Sequence, residues 1–261
     1  GSWGWTSPAT LGLFAVSAAG AVLWVVLELH VDEPLVDIRV LAERPVLLTN
    51  VTALISGFAM FASFVLVPRF AEAPNGLPAD VADRVDYGFG ASATTIGLYL
   101  LPGSFLILFA GPVAGLLGAR IGSKWPLAIG MSLIAASTTS LAVLHDEPWQ
   151  VIVSMAGLSL GVGFAFAAMA ALITEAVDPT ETGIATGINT VMRTIGAVIG
   201  GQVGAAILTA ETLDGTAVPT ENAYVTAFVL AAVAGSIATA VAILVTPVRR
   251  RGRPALAVEP G

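Results

Sequence analysis

The charged residue with the clearest chemical potential is Arg193, because it interrupts an otherwise uncharged stretch between residues 183 and 209. In the middle of a membrane helix an arginine costs about 2.5–3.5 kcal/mol on insertion scales, so it must face other helices or a water-filled cavity. Its guanidinium could contact a ligand or stabilise one conformation. Alternatively, it could hydrogen-bond neighbouring carbonyls or Asn189, which lies one helical turn away. The sequence leaves both roles open.

Further candidates for ligand contact lie in two other apolar stretches. Aromatic and methionine side chains adapt to diverse lipophilic ligands, although in membrane helices they also fill the core or face lipid. The substrate-binding set predicted from the sequence consists of Arg193, Asn189, Asn50, Phe61, Phe164 and Met169, and a wider group adds Phe58, Met60 and Phe166.

The composition excludes an ordinary soluble enzyme. Of 261 residues, 56% are hydrophobic and 11% are charged, whereas soluble domains have about 45–50% apolar and about 25% charged residues. The net charge of −7 argues against nucleic acid as a partner. The sequence contains no cysteine, its two histidines are far apart, and no nucleophile triad or phosphate-binding loop is evident. We therefore predict neither catalysis nor a metal or cofactor.

Seven long apolar stretches determine the predicted fold class. A membrane-spanning helix needs about 20 mainly apolar residues, and within lipid the backbone must satisfy its own hydrogen bonds. The predicted spans are 8–29, 46–68, 93–117, 125–144, 149–174, 183–209 and 223–247. The sequence thus predicts an all-α integral membrane protein.

Basic residues between the spans predict the orientation, because Lys and Arg favour cytoplasmic loops. One side carries eight of them and the other only Arg69 and Arg84; the eight are Arg39, Arg44, Arg120, Lys124, Arg249, Arg250, Arg251 and Arg253. The C-terminus is then cytoplasmic and, after seven spans, residue 1 lies outside. We therefore expect further helices to precede residue 1.

Two segments outside the spans have predicted membrane contacts of their own. Residues 30–45 are predicted to form a short amphipathic helix in the membrane interface. The basic tail, 249–261, is predicted to bind anionic headgroups.

A short loop between the third and fourth spans carries a motif. The segment 115–124 resembles the loop motif G-x-L-x-D-R-x-G-R-K of the major facilitator superfamily, with matches at Gly115, Leu117, Arg120, Gly122 and Lys124. Ala119 replaces the acid of the motif and Ser123 replaces one of its bases. The resemblance implies a conformational-switch loop, altered here by the loss of the acid.

A longer resemblance covers residues 177–200. This segment is similar to the entry of the penultimate helix in fourteen-span drug:proton antiporters of the EmrB/QacA type, with matches at Asp178, Pro179, Glu181, Gly183, Gly187, Asn189, Arg193, Gly196 and Gly200. Residues 3–8, 33–39 and 90–103 also resemble that family.

The resemblance implies an organisation and a function. Residues 1–45 would hold a linker helix and an interfacial segment, 46–248 a six-helix C-terminal bundle of two inverted three-helix repeats, and 249–261 a cytoplasmic tail. The bundle would exchange protons for lipophilic or amphipathic compounds across the cell membrane, together with a missing N-terminal half. In that family the proton-coupling carboxylate lies in the missing half.

Two alternatives remain at the level of sequence. One is a uniporter or symporter for a small nutrient, although a sugar site would require more intramembrane amides and acids than Asn50, Asn189 and Gln202. The other is a membrane remnant or anchor without transport activity.

Overall fold

The computed structural model describes residues 7–31 and 41–246, and gives no side-chain description at positions 61 and 62. Eight helices lie wholly within these ranges: α1 (Pro8–His30), α2 (Arg44–Glu72), α3 (Ala79–Ala82), α4 (Ala93–Ile121), α5 (Lys124–Val143), α6 (Pro148–Ala176), α7 (Thr182–Ala210) and α8 (Glu221–Leu244). All except α3 are long and apolar enough to cross a membrane. The predicted fold class is therefore confirmed.

The observed helices begin and end within a few residues of the predicted spans, because polar residues mark their ends. Ser7, Ser92 and Thr220 each accept a backbone N–H of the first turn of the following helix, as N-cap residues do. The largest difference is at α2 and α4, each of which extends four residues past its predicted C-terminal end.

The helix packing repeats itself between the two halves of the bundle. Helices α2, α4 and α5 form one set, and α6, α7 and α8 form the other. When α2 is matched with α6, α4 with α7 and α5 with α8, the same contacts occur in both sets. The contact of α2 with α7 then corresponds to that of α6 with α4, and the contact of α5 with α6 corresponds to that of α8 with α2. The matched helices α5 and α8 pack against each other. Since each set contains three membrane helices, the second set runs in the opposite direction, as in an inverted repeat.

Glycines allow the paired helices to approach closely. A Cβ added at Gly196 would collide with the Leu54 carbonyl oxygen, and one added at Gly200 would collide with that of Phe58. Between α5 and α6, Gly130 and Gly161 face each other in the same way. Small residues at these positions thus let the helices pack closely, whereas Gly183 and Gly187 face open space.

The bundle core lies between α2, α5, α6 and α8. Its largest fully buried side chains are Phe228, Leu127, Met131, Ile134, Leu141, Met155, Leu158, Met169 and Ile173. By contrast, α1 has no buried residue, and α4 buries only Gly103, Ala110 and Ala114. The exposed leucines and phenylalanines of these two helices leave broad apolar faces for lipid or for further helices.

The helix connections form two ends of the bundle. We call the end with residues 73–92, 144–147 and 211–220 the loop end, and the end with residues 122–123 and 177–181 the turn end. Most of the predicted interfacial segment, residues 32–40, and the whole basic tail, 249–261, lie outside the described residues.

Candidate functional site

Arg193 lies in α7, eleven residues after its first residue Thr182, or roughly 16 Å along the helix axis at about 1.5 Å per residue. Its guanidinium carbon is 4.1 Å from the centroid of the Phe166 ring, which projects from α6. This is a cation–π contact, and it links two helices that otherwise share little packing. Phe166 was a candidate for ligand contact, but no sequence pattern connected it with Arg193.

The guanidinium has no polar partner among the described residues. Neither a hydrogen bond nor an ion pair of its side chain is found there, although a guanidinium presents five N–H donors. The side chain is partly exposed. The alternative role considered from the sequence was a hydrogen bond from Arg193 to Asn189 or to neighbouring carbonyls. No such bond is formed among the described residues.

Asn189 has a different partner. Its amide nitrogen donates a 3.0 Å hydrogen bond to Asn50 Oδ1 in α2 and lies 3.5 Å from the Thr49 carbonyl oxygen. Both asparagines are buried, with relative exposures of 4% and 7%. Because a buried amide is costly without partners, this pair fixes α7 against α2 directly beside the turn that carries Arg193.

A row of threonines follows the same helix at four-residue spacing. The hydroxyls of Thr182, Thr186, Thr190 and Thr194 each donate to the carbonyl oxygen four residues earlier. Their hydrogens are therefore engaged, while their oxygens can still accept. Thr190 and Thr194 are exposed. The spacing is visible in the sequence, but its relation to Arg193 was not recognised there.

The other predicted ligand contacts lie elsewhere. Phe164 is 8% exposed and packs with Ala110 and Ala114 between α6 and α4. Met169 is fully buried in the bundle core. The side chain of Phe61 lies outside the described residues. The structure thus brings together Asn50 and Asn189, with Arg193 adjacent, and a substrate role for the other three stays a prediction.

The motif of residues 115–124 forms the tight connection between α4 and α5 at the turn end. Gly122 adopts a positive φ of 92°, a conformation that glycine enters without a steric penalty. The Lys124 ammonium lies 5.0 Å from the centroid of the neighbouring Trp125 ring. Arg120 and Gly115 are exposed, and a Cβ at Gly115 would meet nothing within 4 Å.

Ser123 makes the contact that ties this connection to the rest of the bundle. Its hydroxyl donates a 2.6 Å hydrogen bond to Glu175 Oε1, near the end of α6. Ser123 is buried, and it occupies a position where the motif has a base. The bond was not predicted, because the two residues are 52 positions apart.

The loop end is closed by aromatic packing. Phe70 contacts the rings of Tyr87, Phe89, Tyr224 and His145 at centroid distances of 5.4–5.9 Å. The Tyr87 hydroxyl donates a 2.7 Å bond to the Pro219 carbonyl. Burial, and secondarily Tyr224, raise the pKa of Tyr87 well above its usual value, so this hydroxyl stays protonated.

A charged cluster lies at the edge of these rings. His145 Nε2 is 2.9 Å from Glu221 Oε1, and His145 Nδ1 is buried without a hydrogen-bond partner among the described residues. Potential ligand atoms of His145, Asp146 and Glu221 lie within 4.8 Å of one another. This grouping was not predicted from the sequence, because Glu221 lies far from His145 along the chain.

Two cavities are formed by described residues. One of about 70 Å³ lies between α2 and α7 and is lined by Val65, Leu66, Arg69, Gly200, Gly201, Gly204, Ala205 and Leu208. Another of about 240 Å³ opens at the loop end and is lined by Arg69, Glu72, Ala73, Asn75, Leu77, Tyr87, Ala217, Val218, Pro219 and Tyr224. Neither cavity is lined by Arg193.

Comparison with known proteins identifies membrane transporters. The chain is 25% identical over 164 residues to the tetracenomycin C resistance and export protein of Streptomyces glaucescens, covering 63% of this chain and 28% of that protein. It is 31% identical over 139 residues to the uncharacterized MFS-type transporter YhcA of Bacillus subtilis, covering 53% of this chain and 23% of that protein. It is 24% identical over 188 residues to a tetracycline resistance determinant of Streptomyces rimosus, covering 70% of this chain and 50% of that protein.

The family assignment rests on a longer match. Against the first relatives, the chain spans about a quarter of their length, 28% and 23%. Residues 49–261 match the Major Facilitator Superfamily, which is more than half of the 261 residues. Together with seven apolar helices and their repeated packing, this match shows that the chain belongs to the major facilitator superfamily of membrane transporters.

Proposed function

We propose that this chain is the C-terminal half of a fourteen-span drug:proton antiporter of the EmrB/QacA type, which exports lipophilic or amphipathic compounds. Transport would proceed by alternating access, with this bundle rocking against an N-terminal bundle around a site near the middle of the membrane.

The observation that carries this proposal is the placement of Arg193. It is a charged side chain in the middle of a membrane helix, partly exposed, without a polar partner among the described residues, and next to a buried asparagine pair. A group of this kind is costly in lipid and is therefore expected at a ligand path or an interface between bundles. We assign Arg193, Asn189 and Asn50 to that site.

The names of the relatives support the type of substrate. They include a tetracenomycin C export protein, a lincomycin resistance protein and a multidrug resistance protein. These names concern those proteins, and we extend to this chain only the export of amphipathic small molecules.

The organisation of the chain follows from the same proposal. Helix α1 would be a linker helix within residues 1–45, α2 to α8 would form the C-terminal bundle within 46–248, and 249–261 would be a cytoplasmic tail. The loop end would then face outward and the turn end inward, since the basic residues Arg44, Arg120 and Lys124 lie at the turn end.

Proton coupling would depend on the other half. The acids near the described spans, such as Glu28, Glu72, Glu175 and Glu221, lie at or close to helix ends. Proton-coupled transport needs a carboxylate that loads and releases protons inside the membrane. We therefore expect that carboxylate in the N-terminal bundle.

The test is an efflux panel on the complete protein in a host lacking its own exporters. We expect export of several amphipathic compounds, abolished by an uncoupler, and a strong loss in Arg193→Ala at unchanged expression. Arg44→Ala, which removes an exposed arginine at the start of α2, is the matched control. Unchanged efflux in Arg193→Ala would exclude the proposed site.

A second test uses this chain alone in proteoliposomes. The proposal predicts membrane insertion without transport, because the chain would supply one side of the site only. Proton-driven efflux by the isolated chain would contradict the assignment as half of a transporter.

A further inference from the structure

We propose that the site around Arg193 selects amphiphiles that carry an acidic group, such as a carboxylate or an acidic phenol or enol, on an aromatic frame. This inference rests on the proposed transport function and names its substrate class. It narrows the lipophilic or amphipathic compounds of that proposal to those that carry an acidic group.

The described residues leave the charge of Arg193 without a counter-ion. Arg193 is positive, and its side chain makes neither an ion pair nor a hydrogen bond with the described residues. Its guanidinium lies over the face of Phe166, and an aromatic ring attracts a cation without neutralising it. An anionic group on a ligand would supply the missing counter-ion.

The shape of the guanidinium also suits an acidic group. A guanidinium is a planar fork that binds carboxylates through two parallel hydrogen bonds, and charge-assisted bonds of this type are stronger than neutral ones. Its contact with the Phe166 ring at 4.1 Å restrains the position of the guanidinium. A cationic ligand, in contrast, would meet like charge in a medium that screens poorly.

Two threonine hydroxyls lie on the same side of α7 as the arginine. Thr190 lies three residues before Arg193 on the same side of α7, and Thr186 lies one turn further. Both hydroxyls already donate to carbonyls of their own helix, at 3.1 and 2.7 Å, so towards a ligand they act as acceptors. The wall therefore combines ionic donors with neutral acceptors, which suits an acidic ligand that also bears hydroxyl groups.

The experiment uses the complete protein and two dyes with the same xanthene frame: fluorescein, which is anionic, and the methyl ester rhodamine 123, which is cationic. We expect the wild-type protein to export fluorescein faster. In Arg193→Gln, fluorescein export should fall roughly ten- to a hundredfold, as expected for the loss of a charged hydrogen bond, while rhodamine export is unchanged or increased.

Arg193→Lys keeps the charge but not the fork, so it should restore part of the fluorescein export. The exposed Arg44→Gln removes one positive charge at the start of α2 and should leave the ratio of the two dyes unchanged. Size-exclusion profiles of each purified variant control for folding. Equal losses for both dyes in Arg193→Gln, or a wild-type preference for rhodamine, would overturn the inference.

A binding titration separates this inference from the proposed function. If the wild-type protein exports neither dye, fluorescein binding to the purified complete protein is measured by fluorescence polarisation. Tighter binding to wild type than to Arg193→Gln would then support the acidic ligand class while refuting export. Absent or equal binding would refute the ligand class as well.

Discussion

Asn189 in α7 donates a 3.0 Å hydrogen bond to Asn50 in α2, although 139 residues separate them in sequence. The bond joins the two halves of the inverted repeat within their most extensive pair contact. It also sits one turn from Arg193, so the position of the proposed ligand site depends on this pair.

The Asn50–Asn189 bond should be measurable as a coupling energy. Asn189→Ala and Asn50→Ala each break it, so the double variant should be less destabilised than the sum of the two. Side-chain bonds between membrane helices contribute about 0.6 kcal/mol on average and up to about 1.7 kcal/mol. Unfolding of the four proteins in detergent gives the coupling. A value near zero would mean that the bond does not stabilise the α2–α7 contact.

The close approach of α7 to α2 predicts opposite effects for two glycines of α7. In Gly196→Ala the new methyl group collides with the Leu54 carbonyl, and such overpacking typically costs about 1–3 kcal/mol. In Gly187→Ala the methyl group meets nothing within 4 Å, and alanine favours the helix. Thermal unfolding should therefore shift down for the first variant and stay constant or rise for the second. Equal shifts would contradict the packing.

The Ser123–Glu175 bond predicts a local effect at the turn end. Ser123→Ala removes the donor, so amide hydrogen exchange should become faster around Gly122 and near the end of α6. Glu175→Gln keeps an acceptor and should have a weaker effect. Ser132→Ala, whose hydroxyl bonds only within its own helix to the Ala128 carbonyl, is the control. Unchanged exchange in Ser123→Ala would show that the connection is held by its backbone alone.

The buried hydroxyl of Tyr87 predicts a loss of stability at alkaline pH. Its pKa in the folded protein is raised above the usual 10.0, chiefly by burial. As the pH rises, the unfolded chain therefore releases this proton before the folded protein does. The contribution of this hydroxyl to the free energy of unfolding is fully present below pH 10.0 and is lost as the pH rises above it. Tyr87→Phe removes this titration and should flatten the alkaline part of the profile.

The same variant also loses the bond to Pro219, which should cost about 1 kcal/mol at neutral pH. Unfolding measured from about pH 8 to about pH 11, a range that brackets tyrosine ionisation, tests both effects. Tyr99→Phe is the control, because the Tyr99 hydroxyl makes no hydrogen bond with the described residues. An alkaline profile identical to that of the wild type would exclude Tyr87 as the titrating group.

Much of the helical architecture could be predicted from the sequence. The length and apolar character of seven stretches set the spans, because lipid forces the backbone of each to satisfy its own hydrogen bonds. Arg193 was recognisable for the same reason, since one charge in the middle of such a stretch is costly. These predictions depend on local composition, which the sequence contains in full.

The partners of these residues were decided by the tertiary structure. Arg193 contacts Phe166 rather than Asn189, Asn189 pairs with Asn50, and Met169 lies in the core. Within apolar helices, hydropathy does not distinguish the side that faces a neighbour from the side that faces lipid or a cavity. That choice follows from which helices the glycines allow to approach, and so it depends on contacts between residues far apart in the chain.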